Sequence, residues 1–189
     1  MATNRIHGQF PTQDRQAPAR RLRVCAAMLV AMVLAVMMLG LPDRALAETD
    51  AGIQALHEGD YGIAIKELTW PAKAGDPRAQ ANLGTIYHYG LGVATSFARA
   101  LRWYHAAAIQ GNADGAIGLA ILYYYGQGVT KDLVTAHFWL TVALGEMPYG
   151  RDRDRVDADR DAMAGGMTPD QLQKSAALMQ NWTTNHQAP

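Results

Sequence analysis

The chain has 189 residues, with 17 basic and 17 acidic side chains and a single cysteine. One cysteine cannot build a disulfide scaffold or a thiolate metal site, so the core has to come from helix or sheet packing. Residues 1–47 hold six of the basic and two of the acidic residues. The remaining 142 residues therefore carry 11 and 15, a net charge of −4 that argues against nucleic acid or anionic lipid as the main partner.

Arg20, Arg21 and Arg23 precede an uncharged apolar run from Val24 to Leu41; Pro42 and then Ala45-Leu46-Ala47 follow. A basic flank, an apolar centre and an A-x-A site in that order predict a secretory signal peptide, residues 1–47, cut after Ala47. The cleaved product is expected in the periplasm or outside the cell, with no membrane insertion. An uncleaved leader would instead anchor it in the inner membrane. Cys25 lies inside the apolar run, and Leu22-Arg23-Val24 before it make no lipoprotein box.

Residues 48–74 read as a degraded N-terminal capping repeat. Ala51 to His57 is expected as a short helix and Asp60 to Lys73 as a second, ending or kinking near Trp70 because Pro71 follows.

Residues 75–146 hold the strongest signal. Gly75, Leu83, Tyr87, Tyr89, Gly90, Gly92, Val93, Ala100, Trp103 and Ala107 recur 36 residues later as Gly111, Leu119, Tyr123, Tyr125, Gly126, Gly128, Val129, Ala136, Trp139 and Ala143. Such a fixed period is the mark of stacked helical hairpins. Ala79, Leu83 and Tyr87 share one face of a first helix that Gly90 ends. A second helix runs from Ser96, its expected N-cap, to Gln110, with Ala100, Trp103 and Ala107 on one face. The next copy uses Ala116 to Tyr125 and Asp132 to Leu144, with Asp132 in the capping role. Trp103 and Trp139 are both expected to be buried between layers.

Residues 147–189 form a helical cap and tail. Arg151 to Asp161 alternates in sign and reads as a solvated helical face with Arg153–Asp157 and Arg155–Asp159 pairs. Thr168-Pro169-Asp170-Gln171 is a helix start with a capping box. The helix it opens carries Leu172, Ala176 and Met179 on one face and reaches Trp182. The fold class is therefore all-α: an α-solenoid of antiparallel helical hairpins with a C-terminal capping helix.

The repeat resembles the Sel1-like family, a relative of the tetratricopeptide repeats. Its pattern A-x-x-x-L-G-x-x-Y-x-x-G-x-G-V, then A-x-x-W and A-A-x-x-G, stands here as Ala79, Leu83-Gly84, Tyr87, Gly90, Gly92-Val93, Ala100, Trp103, Ala106-Ala107 and Gly111. The second copy departs at Gly115, Ala120 and Gly145. The C-terminal Met167-Thr168-Pro169-Asp170-Gln171 stretch is similar to the last helix of many exported bacterial proteins with these repeats. The resemblance implies a scaffold or adaptor of the bacterial envelope that binds an unidentified protein or peptide, with no catalysis and no cofactor. Cysteine-rich members linked to cell-wall or β-lactam-like substrates suggest an envelope enzyme as the alternative, but this chain cannot form their disulfides.

His57, His88, His105, His137 and His186 show no metal-binding spacing, and the glycine doublets follow helices where a phosphate loop follows a strand. No catalytic, metal or cofactor residue is therefore assigned. First helices line the concave side of such arrays. The expected groove consists of Asn82, Thr85, Ile86, His88 and Tyr89 beside Gly118, Ile121, Leu122, Tyr124 and Tyr125, with Asn82 and His88 as its polar handles.

Overall fold

Eight helices and no strand make up residues 46–186, the part of the chain that the computed structural model describes. The expected leader lies almost wholly outside the described residues. Helix α1 covers 46–58, followed by α2 (Tyr61–Ala74), α3 (Pro77–Tyr89), α4 (Phe97–Ala108), α5 (Ala113–Tyr125), α6 (Leu133–Glu146), α7 (Arg151–Gly165) and α8 (Pro169–His186). Each helix packs on the next from α2 to α7, the first helices α3 and α5 also touch, and α8 folds back onto α6. This is an α-solenoid with a C-terminal helical closure.

The repeat spacing reappears as a burial pattern. Ala64, Ala100 and Ala136 are wholly buried, as are Leu83 and Leu119, and Leu68, Tyr104 and Leu140 occupy one equivalent core position. Small residues let paired helices approach, and the larger ones fill the space between hairpins. After α3 the chain leaves through Gly90 in the left-handed region and turns at Gly92, φ 68°. A Cβ on Gly92 would stand 2.6 Å from Tyr61 Cβ, and one on Gly128 would stand 2.6 Å from Phe97 Cβ. Each turn thus seats its glycine on the start of the preceding hairpin's second helix. Only glycine meets both the φ and the contact.

Capping differs between the copies. Asp132 accepts from the Val134 and Thr135 amides, as its carboxylate should. Ser96 makes no such side-chain bond; its amide instead donates to the Tyr87 carbonyl, and the equivalent Asp132–Tyr123 bond repeats this fastening. The start of α3 is earlier than Ala79, because Asp76 caps it and Pro77 begins it. Asp76 also accepts from the Thr49 hydroxyl at 2.8 Å, and Asp50 pairs with Arg78, which ties α1 to α3.

The structure corrects three expectations. Helix α2 does not end near Trp70: it runs through the buried Pro71 to Ala74, and amide bonds from Gly75 and Asp76 to the Ala72 and Pro71 carbonyls close its last turn. Trp103 is only half-buried; its neighbour Tyr104 fills the core position. Arg153 and Arg155 make no ion pairs with Asp157 and Asp159. Arg153 instead donates to the Leu144 and Met147 carbonyls, where the exposed C-terminal carbonyls of α6 attract a cation more strongly than a screened surface carboxylate does. On α8, Leu172, Ala176 and Met179 share one face as expected, and Ser175 is its buried residue. The capping box is formed: the Thr168 amide donates to Gln171 Oε1 at 2.8 Å and the Gln171 amide to Thr168 Oγ1 at 3.3 Å.

Candidate functional site

The face carried by α3, α5 and α7 holds a continuous groove. Between α3 and α5 its walls include Asn82, Thr85, Tyr89, Asp114, Ile117, Gly118 and Ile121, around a cavity of about 250 Å³. Ile117 and Ile121 continue into a second cavity of about 380 Å³, bounded by Tyr124, Tyr125, Val156, Asp159 and Met163. Helical periodicity explains the walls: Asn82, Thr85 and Tyr89 on α3, and Ile117, Ile121 and Tyr125 on α5, recur at three- and four-residue steps.

Of the residues expected in the groove, Asn82, Thr85, Tyr89, Gly118, Ile121, Tyr124 and Tyr125 lie there. Ile86 and Leu122 do not. Both are wholly buried, because they sit one step round each helix on its core side, Ile86 in the N-terminal cluster with Ala64 and Leu68 and Leu122 in the cluster with Tyr104 and Trp139. His88 is also withdrawn into the interior, with 5% exposure, so it is no handle for a ligand. Its Nε2 lies 2.8 Å from Gln127 Oε1 and its Nδ1 3.4 Å from the Tyr104 hydroxyl. The bond to an amide oxygen assigns the proton to Nε2, which leaves Nδ1 as the acceptor. That hydroxyl also lies 3.2 Å from Thr85 Oγ1, but its single proton serves one acceptor at a time, and the Thr85 hydroxyl itself donates to the Ala81 carbonyl. Burial pushes the Tyr104 pKa up to about 12, so the phenol is neutral and the network rests on hydrogen bonds. No buried side-chain nitrogen or oxygen among the described residues lacks a partner.

The groove's polar groups are thus Asn82, Thr85, Asp114 and Asp159. Asn82 Nδ2 is committed to the Arg78 carbonyl at 2.8 Å. Tyr89 and Tyr125 stand at equivalent positions, 60% and 66% exposed. Each ring leans on its chain neighbour: His88 stacks on Tyr89 at 4.5 Å, and Tyr124 meets Tyr125 edge-on at 4.9 Å. Large rings held by neighbours present contact area with little entropy left to lose. The charge run read as a solvated face proves to be one wall of the groove, through Val156, Asp159 and Met163. Val156 and Met163, seven residues apart, were the available signal, and the surrounding charges obscured it.

A second polar contact ties α8 to α6. His137 Nδ1 lies 2.9 Å from Ser175 Oγ. Ser175 is 2% exposed, and its hydroxyl fastens the two helices. Burial lowers the His137 pKa from 6.5; Arg160 adds to the lowering and Asp161 opposes it. The unfolded chain therefore takes up this proton more readily than the folded one. Stability from this contact should be complete above 6.5 and fall as the pH drops through the window below it. Denaturant midpoints measured on either side of that value should show the drop, and His137→Gln should flatten it. An equal drop in the variant would place the sensitivity elsewhere.

Among the described residues no three His, Cys, Asp or Glu side chains gather as metal ligands, and no helix is long and apolar enough to cross a membrane. Stacked hairpins of this kind define a helical-repeat solenoid. Residues 77–112 and 113–144 match the Sel1 repeat family, whose members are generally protein-interaction scaffolds. A protective antigen present in uropathogenic Escherichia coli strains and displaying an SLR fold is 28% identical, with a TM-score of 0.67, over 75% of this chain and 30% of its own length. A Sel1 repeat protein from Oxalobacter formigenes is 34% identical over 50% of this chain and 39% of its own, with a TM-score of 0.48. The chain thus spans less than half the length of either. Among curated proteins none matches it significantly.

Proposed function

We propose that this chain is a non-catalytic module of the bacterial cell envelope that captures an extended peptide, or an extended segment of a protein, along the α3–α5–α7 groove. One observation carries the reading: two tyrosines at equivalent repeat positions, Tyr89 and Tyr125, remain exposed at the edge of the groove. Shallow pockets repeated at a regular pitch read successive side chains of an extended ligand. Exposed aromatics at a contact surface concentrate binding energy. The envelope address is supported by the basic flank, apolar run and A-x-A site of residues 20–47.

The test is Tyr89→Ala with Tyr125→Ala. Because both rings are largely exposed, the unfolding transition should move by less than about 1 kcal/mol, the range of surface substitutions. Capture of a bound peptide should fall by about tenfold or more. If the double variant unfolds, the rings are structural and the groove reading fails. For the address, N-terminal sequencing of envelope-fraction protein should start at Glu48; an unprocessed cytosolic product would refute it.

A further inference from the structure

The groove has a sign as well as a shape. Asp114 lies in the first turn of α5 and Asp159 in the middle of α7, so one carboxylate stands in each of the two cavities. The partial positive charge of a helix N-terminus accounts for Asp114. It does not account for Asp159, which is far from any helix end. Neither carboxylate is in an ion pair among the described residues. Most of the nearby cations are engaged elsewhere; Arg155, one turn before Asp159 on α7, is exposed and makes no ion pair with it. Arg153 holds the Leu144 and Met147 carbonyls, Arg160 pairs with Asp157 and Asp161, and Arg78 pairs with Asp50. No lysine or arginine lines either cavity.

The aromatic side chains of this protein already take cations. The Lys131 ammonium lies 5.3 Å from the centre of the Tyr124 ring, and the Arg99 guanidinium 5.1 Å from that of Tyr87. Of the three tyrosines that edge the groove, Tyr124 has a cation over its ring, and Tyr89 and Tyr125 have none. Both carboxylates are exposed, so they attract a cation at short range and added salt screens the attraction. The chain beyond residue 47, at net charge −4, adds a long-range pull of the same sign.

We propose, on the footing of the groove reading above, that the groove selects an extended basic–apolar peptide. Its apolar or aromatic residues lie against Ile117, Ile121, Tyr89 and Tyr125, and flanking lysines or arginines reach Asp114 and Asp159. The apolar contacts supply most of the affinity, and the carboxylates set which sequences and which direction are accepted.

The experiment is selection of a random peptide library displayed on phage against the purified protein, with affinities of individual synthetic peptides measured by fluorescence anisotropy. Selected sequences should place lysine or arginine beside apolar residues. They should bind Asp114→Asn with Asp159→Asn about threefold to tenfold more weakly, with a deficit that shrinks as salt is added. Both aspartates are exposed, so this variant keeps the fold. Acidic or uncharged selected sequences, or unchanged affinity in the asparagine variant, overturn the proposal. If those same peptides are still lost to Tyr89→Ala with Tyr125→Ala, the groove reading survives it. Selected peptides that are indifferent to the tyrosine variant, or no selected peptide at all, overturn both.

Discussion

Gly118→Val should destabilise the protein by about 3 kcal/mol, at the upper end of overpacking substitutions. The Tyr104 ring lies between two helix backbones. A Cβ at Gly118 would stand 2.5 Å from its Cε1, and one at Gly84 would stand 2.4 Å from its Cδ1. A flat ring walled on both faces cannot yield, and its hydroxyl is held by Thr85 and His88. Valine is a better helix former than glycine, but by only about 0.5 kcal/mol, so the clash decides the sign. The equivalent core positions, Leu68 and Leu140, carry leucine. Tyr104→Leu alone should cost about 2 kcal/mol, through a smaller side chain and a His88 nitrogen left without its partner. Combined with Gly118→Val it should cost less than the two singles together. That sign of coupling, read from denaturant unfolding of the four proteins, checks the slot. A loss below about 1 kcal/mol in Gly118→Val alone would show that the ring has room.

Trp139→Ala should cost about 3–5 kcal/mol, whereas Trp103→Ala should cost about half as much. The two occupy equivalent repeat positions but have different surroundings. Trp139 is 6% exposed and closed in by Phe138 at 4.9 Å, Trp182 at 5.4 Å and His105 at 6.2 Å. Its truncation removes the surface on which α8 docks, so the loss includes part of the C-terminal closure. Trp103 packs against the N-terminal core cluster from a half-buried position, and less apolar area returns to water when it is removed. Equal losses for the two variants, measured as unfolding free energies, would show that α8 adds nothing to the burial of Trp139.

The departures of the second repeat have local causes. Gly115 stands where the first repeat has Ala79; a Cβ there would meet Ala107 Cβ at 2.7 Å and the Tyr104 carbonyl oxygen at 2.9 Å. Gly118 answers the tyrosine side chain at 104, whereas Gly115 answers the close approach of Ala107 and the α4 backbone. The opposite end of the hairpins is joined by amides: Gln110 Nε2 donates to Gln80 Oε1 at 2.8 Å, and Gln80 Nε2 donates to the Ala72 carbonyl at 3.0 Å. These contacts, with Gln127 on His88 at 2.8 Å, give neighbouring repeats a defined register beyond their apolar packing.

Residues 75–146 by themselves determined the helical hairpins, their 36-residue stacking and where each first helix stops. These follow from properties local in the chain: the 3.6-residue period of apolar positions, and glycine's tolerance of the left-handed conformation. The tertiary structure alone decided the rotation of each helix about its axis. One step along a helix turns a side chain by about 100°, so Tyr89 and Tyr125 face solvent while Ile86, His88 and Leu122, up to three residues away, are buried. It decided that Tyr104, and not Trp103, enters the core, because Gly84 and Gly118 leave space only there. It also decided that a helix dense in charge forms a wall of the groove, since Val156 and Met163 acquire meaning only when α7 is laid beside α5 and α6. Period and stop signals are written along the chain; the face that meets a neighbour depends on residues a hairpin or more away.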